Sequence, residues 1–189
     1  MNNLVRLTMG LSIVMFLGAC TSASPALKEK DNKLSLVGKT VYVKSAKANY
    51  SLNSDIAQNI KDECNLDSQL ITAIQNEAKK KDITVKVSES IPADGVELKV
   101  EITDSMSAGN GFTGHRKYSS ISGVLTQSGQ TIATMNAARL SRGGMFAKFQ
   151  GSCGVLSRTV RTLGGDVTQW MAKPSTDASY GDIALIPRN

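Results

Sequence analysis

The chain has one histidine, one tryptophan and four prolines, and only 5% of its residues are aromatic. Because His115 is the sole histidine, any Ser-His-Asp or Cys-His catalytic site must use it, and no G-x-S-x-G nucleophile elbow accompanies it. One histidine and few cysteines also argue against a zinc site, which is built from several nitrogen and sulfur ligands. One Trp, four Tyr and four Phe leave little material for base-stacking platforms or aromatic sugar clefts. Long hydrophobic runs are missing as well. The apolar segment at residues 7–17 is interrupted by Thr8, Gly10 and Ser12, and it is shorter than the about 20 apolar residues that a membrane-crossing helix needs. The expectation is a chain with no metal and no cofactor.

What is present begins at the N-terminus. Residues 1–6 are polar with one cation, Arg6; Leu11, Ile13, Val14, Met15 and Phe16 then form a short apolar core. An apolar core followed by small residues is the secretory pattern. The run Leu17-Gly18-Ala19-Cys20 resembles the lipobox of a bacterial lipoprotein signal peptide, with Leu three positions before Cys and two small residues between. The resemblance implies that residues 1–19 are removed and that Cys20 becomes an acylated first residue, carrying palmitate-type chains. Each buried methylene contributes about 0.8 kcal/mol, so two or more chains hold a protein to a membrane stably. Thr21 stands where such lipoproteins often carry Asp for retention in the inner membrane, which favours the outer membrane, periplasmic side. The alternative is an ordinary signal peptide cut near Ala19, leaving a free thiol at Cys20 in an oxidising compartment.

The formal net charge is +6, and removing the leader takes away Arg6 alone. A basic periplasmic surface favours phosphate-bearing headgroups, glycolipid phosphates or acidic partners. Lys and Arg spread over a solvated surface account for the same figure. Nucleic acid is not an expected partner for an exported chain. Setting Cys20 aside leaves Cys64 and Cys153, an even pair where disulfides are permitted. A bridge between them stabilises by about 4–5 kcal/mol on the chain-entropy account. Two buried free thiols or one reactive cysteine are the alternatives.

Residues 20–35 read as a lipidated start and tether, rich in Ser, Lys and Asp with little to bury. Residues 36–174 read as one α/β domain, and 175–189 as a C-terminal tail. Alternation predicts strands at 39–45, 83–87 and 96–102; the last has Val96, Leu98, Val100 and Ile102 on one face. Residues 116–125 and 131–140 flank Gln127-Ser128-Gly129-Gln130, a hairpin signal. Leu52, Ile56 and Ile60 recur every four residues without settling helix or lead-in. From Asn65, Leu66, Leu70, Ile74 and Ala78 form a helical stripe, with Lys79-Lys80-Lys81 at its C-terminal end. A second helix is predicted over 153–173, capped by Ser152 and stopped by Pro174. Gly164-Gly165 inside it costs on the order of 2 kcal/mol relative to two alanines, which close backbone packing or a kink would explain. The fold class expected is α+β: a two-layer sandwich with a mixed, mostly antiparallel five-stranded sheet and two main helices on one face. Helices of the same orientation would bring Cys64 and Cys153 together.

Gly109-Asn110-Gly111-Phe112-Thr113-Gly114 spells a dinucleotide motif, but the motif works only if a helix opens directly after it. Residues 115–125 read as strand, so a glycine-rich loop is expected and no nucleotide. Cys153 and His115 form a conceivable nucleophilic pair, but the bridge already explains Cys153. Glu97, Glu101 and Asp104 alternate as a solvent face. His115, Arg116 and Lys117, with Arg139 and Arg142 on the neighbouring strand, form a candidate patch for an anionic ligand; a solvated sheet face is the plainer reading.

Together the lipobox, the first strand, the Cys-led helix and the closing helix resemble small bacterial outer-membrane lipoproteins with a compact α/β domain, among them auxiliary lipoproteins of transporters and of outer-membrane assembly. The resemblance implies a non-enzymatic accessory module of an envelope complex, with an envelope protein as partner. The other reading is a lipid- or glycolipid-binding lipoprotein that uses the basic patch or the space between helices and sheet.

Overall fold

The computed structural model describes residues 34–54, 56–110, 114–142 and 151–185; at 108–110, 114, 115 and 142 only the backbone is described. The expected leader, Cys20 and most of the tether lie outside these residues.

The architecture of the described residues is mixed α+β, with three α-helices and a seven-stranded sheet. The strands are β1 (Thr40–Val43), β2 (Asn49–Tyr50), β3 (Thr84–Val87), β4 (Val96–Asn110), β5 (Gly114–Gln127), β6 (Gln130–Arg142) and β7 (Ala178–Gly181). The helices are α1 (Gln58–Cys64), α2 (Leu66–Lys79) and α3 (Ser152–Ala172). The sheet order is β3-β1-β4-β5-β6-β7, with β2 also pairing with β4.

Three expectations are corrected, and one open segment takes a definite form. The sheet has seven strands, not five, and it is partly parallel. Strands β3 and β4 both run parallel to β1, and β7 runs parallel to β6. Alternation identifies a strand and its buried face but carries no direction. Here the turn closed by Gly95 N–H on Pro92 O returns the chain past β1, so β3 and β4 are not neighbours. The expected tail is docked. Trp170 Nε1 donates to Ser175 O at 2.9 Å, and residues 178–181 add the edge strand β7. In the unsettled segment, residues 58–64 form α1: Ile56 and Ile60 are buried and Leu52 is fully exposed. Finally, Gly151, not Ser152, precedes the first turn of α3.

The hairpin is as read: Ser128 and Gly129 both have positive φ, 50° and 77°, the two-residue turn that matches strand twist. The core lies between the sheet and α2 with α3. Val41, Val43, Leu98, Ile102, Ile121, Leu125 and Met135 from the sheet meet Leu70, Ile74, Leu163, Val167 and Trp170 from the helices. The Trp170 ring lies over Gly123, where a Cβ would stand 3.4 Å from the ring and 2.9 Å from Met135 Cγ. Gly164 packs onto α2: a Cβ there would stand 2.6 Å from Ala73 Cβ and 2.9 Å from its carbonyl carbon. Gly165 faces open space. Close helix packing therefore explains the first glycine of the pair and not the second.

Candidate functional site

A β-bulge determines what the far end of the sheet presents. The β4–β5 register shifts between Ile102 and Asp104. Before it, the even-numbered residues of β4 face the helices; after it, the odd-numbered ones do, so Ser105 and Ser107 take over from Val100 and Ile102. Opposite them stand Ser119 and Lys117 on β5. The surface under the N-terminal half of α3 is therefore polar, where the surface under its C-terminal half is apolar.

The polar groups there are paired across layers. Ser105 Oγ and Ser119 Oγ are 3.1 Å apart, and Thr159 Oγ1 of α3 lies 3.0 Å from Ser119 Oγ and 2.7 Å from Leu156 O. Arg139 of β6 holds Asp166 of α3 with two parallel hydrogen bonds, Nε to Oδ2 at 2.8 Å and Nη2 to Oδ1 at 2.5 Å. Hydrogen bonding to this carboxylate pushes the guanidinium up from its ordinary range. Asp166 is buried, so the pair is a strut between layers. Gly181 makes room for it: its φ is +75°, and a Cβ would stand 2.2 Å from Ala138 O and 2.8 Å from Arg139 Nε.

At the outer end, Ser107 Oγ donates to Ser152 Oγ at 2.9 Å, and Lys117 Nζ approaches the same oxygen at 3.4 Å. Lys117 is 8% exposed, whereas Ser152 is exposed and Ser107 half-buried. On the opposite sheet face, Tyr118 donates to Asp104 Oδ2 at 2.5 Å. Burial, reinforced by that carboxylate, pushes the phenol well above the ordinary tyrosine range.

Of the predicted basic patch, the described side chains Arg116, Lys117 and Arg139 do not gather into one cluster. Successive strand residues point to opposite faces, so Lys117 turns toward α3 while the exposed Arg116 turns away. Arg139 is engaged by Asp166. His115 pairs in register with Gly109, and Arg142 with Arg116; their side chains lie outside the described residues. Ser107, Ser152 and Asp166 were missed as site residues. The run Val96-to-Ile102 gave a parity that the bulge then reversed, and nothing in the sequence marked the reversal. The dinucleotide-like run is split between two strands: β4 reaches Asn110, and β5 begins at Gly114, so a strand follows the last glycine where the motif needs a helix.

Cys64 closes α1, Cys153 lies in the first turn of α3, and their sulfurs are bonded with Cα atoms 4.9 Å apart. Cys64 is the last residue of α1 and precedes the Asn65 N-cap of α2, so the bond joins a helix C-terminus, next to the start of α2, to the start of α3. Beyond the bridge, α2 and α3 run alongside each other and leave an open groove of about 470 Å³. Its walls include Ser68, Thr72, Asn76 and Glu77 on one side and Ser157 and Arg161 on the other. Among the described residues, no cluster of three or more His, Cys, Asp or Glu is placed to hold a metal ion, and no helix is long and apolar enough to cross a membrane.

No protein-family model matches the chain, and no curated protein matches it in sequence. Solved structures do resemble it. One is a minor lipoprotein from Acinetobacter baumannii: 13% identity, TM-score 0.44, covering 71% of this chain and 93% of that one. A second is a Xanthomonas campestris protein from a family of unknown function: 14% identity, TM-score 0.48, covering 74% of this chain and 85% of that one. A third is the PelC dodecamer from Paraburkholderia phytofirmans: 10% identity, TM-score 0.45, covering 75% and 92%.

Proposed function

We propose that this chain is a lipoprotein of the bacterial outer membrane, anchored through Cys20 on the periplasmic side, and that its domain is a non-enzymatic accessory module for an envelope protein complex. The observation that carries the reading is Leu17-Gly18-Ala19-Cys20, placed shortly before Leu36, the first fully buried residue of the domain. The intervening residues 21–33 are mostly polar or charged. Such an anchor needs no membrane-crossing helix from the domain itself. Three further observations support an interaction module. The Cys64–Cys153 bond takes away the one thiol that His115 would have needed. The groove between α2 and α3 is open and polar. The sheet ends in two short edge strands, β3 and β7, that leave backbone groups for a partner.

Metabolic labelling with a palmitate analogue tests the anchor. Label on the wild-type chain that disappears in Cys20→Ser, with the wild-type protein fractionating with outer membranes, is the expected result. Unlabelled wild-type protein in the soluble periplasmic fraction would contradict it. Crosslinking in intact cells, followed by purification, tests the module: recovery of no envelope protein would count against that part.

A further inference from the structure

We infer that Lys117, Ser107, Ser152 and the first turn of α3 form a binding site for a phosphoryl group. The inference goes beyond the anchoring proposal and stands whether or not Cys20 is acylated.

Among the described residues, Lys117 is a charge without a counter-charge. Lys117 is 8% exposed and turned inward under α3. An ammonium carries three donors, and the partner found for it is a neutral hydroxyl at 3.4 Å. None of the ion pairs among the described residues includes Lys117. Buried lysines are almost always paired.

The place to which it points makes the imbalance worse. Ser152 opens α3, a 21-residue helix whose N-terminal end carries positive partial charge. The N-cap is Gly151, which has no side chain to accept from the first-turn N–H groups. A buried cation at the positive end of a helix is opposed twice. A group accepting from the ammonium and the helix end together removes both penalties, and that group is an anion.

The remaining donors suit an oxyanion with several terminal oxygens. The Ser107 and Ser152 hydroxyls sit 2.9 Å apart beside the ammonium, and Ser152 is exposed, so the site is reached from solvent. The Cys64–Cys153 bond fixes the first turn of α3, so its N–H groups are already in place. A phosphoryl group has three oxygens to meet ammonium, hydroxyls and backbone N–H groups; a carboxylate has two. The phosphoryl group can come from a membrane headgroup or from free phosphate.

The experiment uses the full chain carrying Cys20→Ser, so that no acyl chain contributes. Its thermal midpoint is measured with inorganic phosphate and, separately, with succinate, and its sedimentation with vesicles containing phosphatidic acid, whose phosphomonoester has three terminal oxygens, is measured in parallel. The expected result is that phosphate raises the midpoint and that Lys117→Met weakens phosphate binding by about ten-fold or more. Sedimentation that Lys117→Met also abolishes identifies a headgroup as the source, and a phosphate response without sedimentation identifies free phosphate. No response to phosphate or vesicles, or an undiminished response in Lys117→Met, overturns the site. A succinate response equal to that of phosphate overturns the phosphoryl assignment. If Lys117→Met does not fold, Ser107→Ala combined with Ser152→Ala replaces it, and a full phosphate response in that variant is equally fatal.

Discussion

The two halves of α3 rest on the same three strands, yet they meet opposite chemistry. Its C-terminal half lays Leu163, Val167 and Trp170 on Ile121, Leu125 and Met135, all buried and apolar. Its N-terminal half lies over Ser105, Ser107, Ser119 and Lys117. One bulge separates them, and it preserves the pleat while exchanging the side chains that face inward. The C-terminal half adds one buried polar link, Asp166 to Arg139, to its apolar contacts; the N-terminal half buries Val155, Leu156 and Val160 but also meets Lys117, a charge without a counter-charge among the described residues. Stability and ligand chemistry are therefore separated along one helix.

The contrast can be broken at the apolar end with the largest effect. Trp170→Ala removes a fully buried ring and the hydrogen bond to Ser175 that brings the C-terminal segment back, and it should cost about 3–5 kcal/mol in urea denaturation. Replacing Cys64 and Cys153 together by alanine opens an 89-residue loop and frees the polar end from α1; a loss of about 2–4 kcal/mol is expected, and reductant should reproduce it in the wild type. Between the halves, Gly164→Ala drives a methyl into the α2 backbone and should cost about 1–3 kcal/mol, whereas Gly165→Ala meets nothing and should gain about 0.5–1 kcal/mol. A loss at both positions would contradict the packing account of the pair.

The smallest effect lies on the outer face of the polar half. Tyr118 has its folded pKa raised above the unfolded value, so its contribution is fully present below the ordinary tyrosine range and is lost as pH rises through the folded value. Tyr118→Phe should cost about 1 kcal/mol at neutral pH and remove a late-ionising phenol from the alkaline absorbance titration. An unchanged titration would show that Asp104 and burial do not hold the proton.

How much of this was legible follows from what periodicity records. The stripes Leu66-Leu70-Ile74-Ala78 and Leu156-Val160-Leu163-Val167 specified α2 and α3, because a helix must bury one face and its sequence repeats accordingly. Strand alternation found the buried faces of β1, β3 and β4, but not their directions. It also missed β2 and β7, which at two and four residues are too short to show a period. The site was least legible. The bulge reverses every inward position after it on β4, which hid Ser107; Lys117 keeps the odd-numbered inward parity of Leu125 and Ile121 on β5 and was hidden by being grouped with Arg116. Only three-dimensional pairing shows that the two face opposite ways.

The separation of stability from binding is tested most directly by two inward positions of β5 on either side of Ser119. Ile121→Ala and Lys117→Met are compared by urea denaturation in phosphate-free buffer. Ile121→Ala should lose about 2–5 kcal/mol. Lys117→Met, which replaces an unpaired buried charge by an apolar side chain of similar length, should be as stable as the wild type or more so. A loss in Lys117→Met as large as that in Ile121→Ala would make Lys117 a structural residue and contradict the account.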